Sequence, residues 1–134
     1  MTKKEYLAQY RRCLAMIDDA EADLKTARTR AEGLSAIRYS DMPKSKKTAR
    51  DLSEAVAVLE AAAERYRRTV TKCADTMELV EMSIETAPTL MGYKVLRLRY
   101  ISGLKWDEIA ERCGKSRPWV ATVHGRALEK IKMY

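Results

Sequence analysis

VLRLRYISGLKWDEIAERCGKSRPWVATVHGRALEKI, residues 95–131, is the stretch on which the fold turns. Apolar side chains at Val95, Leu96, Leu98, Ile101, Ile109, Ala110, Val120, Val123, Ala127 and Ile131 recur at intervals that suit helices crossing over a small shared core. Gly103 and Gly114 interrupt the pattern where turns are expected. Ser116 is an N-cap residue directly before a segment whose first turn contains Pro118. The spacing predicts a short helix capped by Thr89 and running through Tyr100, a second over 106–113 stopped by Gly114, and a third from 117 to about 132. That arrangement is a helix-turn-helix, a module whose last helix enters the major groove of DNA.

Charge points the same way. The chain of 134 residues carries net +7, and residues 91–134 hold 10 Lys and Arg against 4 Asp and Glu. Residues 1–90 are almost balanced, with 16 against 15. A uniform basic surplus would mean little more than solubility, but one concentrated in a short module suits a phosphate-facing surface.

Upstream, Thr2 and Glu5 form a T-x-x-E capping box that opens a long helix. Its apolar or small residues run Tyr6, Tyr10, Cys13, Ile17, Ala20, Leu24, Ala27, Ala31 and Leu34, in alternating steps of four and three. This is the seam of a coiled-coil-like helix. With Gly33 as its stop, the helix over about 2–33 would be about 48 Å long. Residues 35–47, containing Pro43, read as a loop. A second helix over about 48–86 starts near Thr48, with Asp51 as its acidic cap partner, and ends before Pro88. Its seam is Leu52, Ala55, Leu59, Ala62, Tyr66, Val70, Cys73, Met77, Val80 and Ile84. Single stripes of this kind must face each other, another copy of the chain, or both. The expected fold class is therefore all-α. A long antiparallel, coiled-coil-like helical hairpin over residues 1–88 would precede a helix-turn-helix head over 89–134.

Several classes of function find no support in these residues. There is no phosphate-cradling glycine loop, no metal-spaced His and Cys cluster and no nucleophile motif, so no catalytic residue, metal or cofactor is expected. Adjacent Asp18 and Asp19 point about 100° apart on a helix and read as solvated surface. Cys13, Cys73 and Cys113 are widely separated and sit in apolar helical register, which suits buried, reduced thiols. No run approaches the roughly 20 apolar residues of a membrane span, and MTKKEYLAQYRRC has no apolar signal core, so a cytoplasmic location is expected.

On the third helix, Val120, Val123, Ala127 and Ile131 should pack inward with Leu128 alongside. Arg117, Pro118, Ala121, Thr122, Gly125 and Arg126 would then face outward. Arg117 and Thr122 are the candidate base readers, since Arg can fork onto guanine and Thr offers a hydroxyl or a methyl. Lys115, Arg126, Lys105 and Arg99 suit phosphate contacts, as does the helix start at Ser116, although Ser116 is chiefly a cap for the amide of Trp119. Trp106 reads as core or a helix-start anchor. Trp119 could pack inward or lie on the sugar-phosphate backbone, and His124 beside the core or on a phosphate. Gly125 costs about 1 kcal/mol relative to Ala in mid-helix, which hints at a close approach by DNA or another helix. Lys44, Lys46, Lys47 and Arg50 read as a solvated loop or as a second nucleic-acid contact.

At these residues the sequence resembles region four of sigma-70-type RNA polymerase sigma factors. The matching pieces are VLRLRY (95–100), G-x-x-W-x-E-I-A (103–110) and the SRPWV…ALEKI run (116–131). The whole chain also resembles small phage and prophage transcriptional regulators of the ArpU/RinA late-gene activator type, in which YSDMPKSK (39–46) is a further match. The resemblance implies promoter DNA as ligand and RNA polymerase as a candidate partner. It also implies that Arg117, Pro118, Ala121 and Thr122 stand where sigma factors face the −35 element. Arg117 keeps a polar reader there, whereas Pro118 and Ala121 cannot make long-reaching polar base contacts.

The expected function is a sequence-specific, DNA-binding transcriptional regulator of phage or prophage origin. Homodimerisation is expected, because paired heads spaced by whole turns multiply the affinity of one short head. The alternatives are a small-terminase-like DNA-packaging protein and a helical interaction protein that binds RNA polymerase or sigma in place of DNA.

Overall fold

The computed structural model describes residues 1–38 and 46–134, and every element among them is helical. In chain order these are α1 (Lys3–Arg38), α2 (Lys46–Glu85), α3 (Leu90–Leu96) running into a π turn (Arg97–Ile101), α4 (Trp106–Cys113) and α5 (Arg117–Lys130). The all-α class with two long amino-terminal helices is as expected. No helix among the described residues is long and apolar enough to cross a membrane. Pro43 and Lys44 of the expected loop, with nearly all of the YSDMPKSK stretch, lie outside the described residues.

The ends of the long helices differ from the sequence reading. Thr2 and Glu5 do close a capping box: the Glu5 amide donates to Thr2 Oγ1 at 3.2 Å and the Thr2 amide to Glu5 Oε2 at 2.8 Å. Gly33, however, does not stop α1, which continues to Arg38. A glycine ends a helix by taking a left-handed conformation, and among the described residues only Gly103 and Gly114 take positive φ. Likewise α2 begins at Lys46, ahead of Thr48, and ends at Glu85. Residues 35–38 and 46–47, expected in a loop, are therefore helical.

The described residues gather into two units, one of residues 15–72 and one joining 1–14 to 73–134. In the first of these, Ala20, Ala27, Ala31, Leu52 and Ala55 are buried, and Ile17, Leu24, Leu34, Leu59, Ala62, Tyr66 and Val70 are half-buried. Arg65 of α2 donates to Asp19 of α1 at 2.8 Å and also pairs with Asp23. All three side chains are exposed, so the pairs orient more than they stabilise.

The other unit holds two apolar clusters. One gathers Leu7, Val80, Ile84, Leu96, Tyr100, Ala127, Leu128 and Ile131; the second gathers Val95, Ile109, Ala110 and Val120. The π turn serves both. Its wider winding, closed by the Ser102 amide on the Arg97 carbonyl at 3.1 Å, lets Leu96 and Ile101, five residues apart, meet the first cluster. Thr89 caps α3 by accepting from the Gly92 amide at 3.0 Å.

At Gly92, α3 lies close against α5. A Cβ there would stand 2.9 Å from Thr89 Oγ1 and 3.2 Å from Ala127 Cβ. Gly92→Val must therefore push out the cap oxygen and force α3 away from α5. The expected loss is about 1–3 kcal/mol of unfolding free energy, read from the urea midpoint. An unchanged midpoint would show that these helices do not bear on each other here.

Candidate nucleic-acid interface

The turn between α4 and α5 is built from local chemistry. Gly114 takes φ 63°, ψ 34°, a left-handed conformation that is strained for residues with a Cβ, and ends α4. The Lys115 amide then closes back on the Ala110 carbonyl at 3.0 Å. Ser116 accepts from the Trp119 amide at 3.3 Å, and Pro118, which has no amide to satisfy, sits in the first turn. At the start of α4, the Glu108 carboxylate accepts from the Lys105 amide at 3.3 Å.

This turn fixes which side of α5 faces inward. Val120, His124, Ala127, Leu128 and Ile131 are buried, whereas Val123, expected at the core, is only half-buried. His124 takes the inner place. Its Nε2 is hydrogen-bonded to the Tyr100 hydroxyl at 2.8 Å, and Trp106 meets its ring edge-on at 4.7 Å. Burial, with smaller repulsion from Lys4 and Arg99, lowers the His124 pKa to about 4, so the ring is neutral at pH 7. Burial also raises the pKa of Tyr100. His124 is thus a satisfied core histidine and not a phosphate contact.

Arg117, Pro118, Ala121, Thr122, Gly125 and Arg126 are all exposed. Arg117 does not hang free: its guanidinium forms an ion pair with Asp107, Nε to Oδ1 at 3.1 Å, which leaves both terminal amino groups for a further acceptor. Thr122 donates its hydroxyl proton to the Pro118 carbonyl at 3.0 Å, so outward it offers an acceptor oxygen and a methyl. Lys115, Ser116 and Lys105 are exposed, and Lys115 Nζ lies 5.4 Å from the centre of the Trp119 ring. Trp119 itself is half-buried and packs on the second cluster. Arg99 differs from the other expected phosphate contacts. It is half-buried, donates to the Leu104 carbonyl at 3.0 Å and stacks 4.3 Å over Trp106, so its first task is to hold the π turn to α4.

A cleft of about 620 Å³ opens along this side of α5, lined by Trp106, Arg117, Pro118, Ala121 and Gly125 among others. Lys4 of α1 lines it too. Neither Lys4 nor Asp107 was marked by the sequence, because each reaches the cleft or its cation only through packing between distant segments. Lys3 shows how: its ammonium donates to the carbonyls of Glu129 and Ile131 at 2.9 and 3.0 Å, which fixes the start of α1 against the end of α5. Exposed Lys105, Arg112, Lys115, Arg117, Arg126 and Lys130 give the α4–α5 surface its positive balance.

Among the described residues, no three of His, Cys, Asp or Glu gather as metal ligands. Compared with known protein families, with curated proteins and with solved structures, the chain matches none of them.

Proposed function

We propose that this chain is a sequence-specific, DNA-binding transcriptional regulator of phage or prophage type. In this reading α4, the Gly114 turn and α5 are a helix-turn-helix of the sigma region-four kind, and α5 lies in the major groove. The observation that carries it is the division of α5 into two sides. One is sealed by Val120, His124, Ala127 and Leu128, and the other is open and presents Arg117 and Thr122 among the small residues Pro118, Ala121 and Gly125. Small side chains let a helix sit deep in a groove, and the few long or polar ones then do the reading. Asp107 supports the same role for Arg117, since it pairs with the guanidinium on its Nε side and leaves the terminal fork for guanine O6 and N7.

The long helices, in this reading, form an antiparallel hairpin that carries a second copy of the chain. Arg65 reaching Asp19 and Asp23 supports the antiparallel course, as does Leu7 packing with Val80 and Ile84. Exposed Val56 and Val58 leave apolar surface on α2 for self-association. RNA polymerase is the further partner that a regulator of this kind would meet.

Base readers and phosphate contacts separate in a mutational test. Arg117→Ala should erode preference at one base pair by about 1–3 kcal/mol, whereas Lys115→Ala should weaken all sequences alike. Competition binding on a set of single-base variants of a selected site measures both. Equal loss on every sequence for Arg117→Ala would remove Arg117 as a reader.

A further inference from the structure

We propose that the cleft between the amino end of α1 and the outer side of α5 seats one sugar-phosphate strand of duplex DNA, with Lys4 as the cation that meets it. This rests on the DNA-binding reading and adds a contact from outside the helix-turn-helix.

Three observations converge on it. Lys4 and Arg117 both line the cleft, and the residues that α5 exposes there beside Arg117 are the small Pro118, Ala121 and Gly125, with Trp106, His124 and Leu128 completing the lining; two positive charges thus share one open cleft. An anionic strand is the complementary occupant. Lys4 is also held in position: the neighbouring Lys3 is clamped to the Glu129 and Ile131 carbonyls, and Lys4 is near enough to His124 to help lower its pKa. Gly125 supplies the third observation. A Cβ built there meets nothing within 4 Å, and its φ is not positive. Neither internal packing nor backbone conformation calls for glycine at this position, although glycine is the poorest interior helix former after proline. What its missing Cβ spares is space in the cleft. A sugar-phosphate strand needs that space to come against the helix backbone.

The test uses the full chain and a labelled mixed-sequence duplex of about two helical turns. Lys4→Gln should lower affinity by about tenfold near 0.1 M salt and reduce the slope of log affinity against log salt by about 0.9, the signature of one lost phosphate contact. Lys25→Gln, which removes an equal charge from an exposed position that does not line the cleft, should leave that slope unchanged. Gly125→Ala should raise the melting temperature by a few degrees and yet bind the duplex several-fold more weakly, a combination that misfolding cannot produce. If the wild-type chain binds with a steep salt slope that Lys4→Gln retains, or if Gly125→Ala binds the duplex as tightly as the wild type, the cleft proposal is overturned and the DNA-binding reading stands. A wild-type chain with no affinity for the duplex overturns both.

Discussion

Acidification from pH 6.5 to about pH 4 is expected to remove about 3 kcal/mol of folding stability through His124 alone. The imidazole is 5% exposed, stacked beside Tyr100 and capped by the edge of Trp106. Its folded pKa, about 4, is below the ordinary value of 6.5 chiefly because burial penalises the charged ring, and secondarily because Lys4 and Arg99 repel it. The unfolded chain takes up this proton near pH 6.5, so between the two values it holds more protons than the folded chain. Stability therefore rises with pH across that window. The contribution is fully present above pH 6.5 and is lost as pH falls toward 4. Urea unfolding at several pH values from about 7 down to about 4 measures it. His124→Gln keeps an oxygen to which the Tyr100 hydroxyl can donate, but has no proton to gain. The variant should be less stable at pH 7 and should fall less steeply on acidification, while slope from surface carboxylates remains in both proteins. Parallel profiles would show that His124 does not titrate in this window on unfolding.

The parts of the fold legible in the sequence are those written in short-range chemistry. Thr2 with Glu5, Thr89, Gly114 and Ser116 each act within three or four residues of themselves, and each caps or turns where its type suggests. The bounds of α4 and the start of α5 followed from them. The seams of α1 and α2 were legible for a similar reason: every residue of the two stripes is buried or half-buried, because a 4–3 repeat needs no knowledge of its partner to be recognised.

What escaped depends on contacts between distant segments. Leu7 is the most deeply buried side chain of α1 and lies outside its stripe, since near its amino end the helix meets Leu96, Leu128 and Ile131 as well as α2. A search for one stripe cannot find a helix that packs on two sides. Val123 was expected inward and packs half-buried on the second cluster, whereas His124 was read as lying beside the core or on a phosphate, a choice the sequence left open. Burying His124 requires the Tyr100 hydroxyl 24 residues away, and nothing local announces that pairing. The π turn has no sequence signature either, and it redirects Tyr100 and Ile101 toward the first cluster. Arg99 looked like a phosphate contact because it is basic, but the Leu104 carbonyl and the Trp106 ring already engage it. At the proposed interface, the outward residues of α5 were legible from helical period alone, whereas Lys4 and Asp107 came into view only with the packing of α1 and α4.

The second large effect concerns salt, and it bears on the central claim that the outer side of α5 lies against duplex DNA. Besides the base reader Arg117, Lys4, Lys105, Lys115, Arg126 and Lys130 are five exposed cations on or beside that surface. Each cation that neutralises a phosphate releases a condensed counterion, which adds about 0.9 to the slope of log affinity against log salt. Five contacts give a fall of about 500-fold between about 50 and 200 mM salt, and the paired heads of a dimer would give a steeper one. The decisive measurement is the affinity of the full chain for a mixed-sequence duplex across that range, by fluorescence anisotropy. A loss on the order of several hundredfold or more is the expected result. No binding at about 50 mM salt, or binding that changes less than about twofold across the range, would contradict a DNA-facing α5.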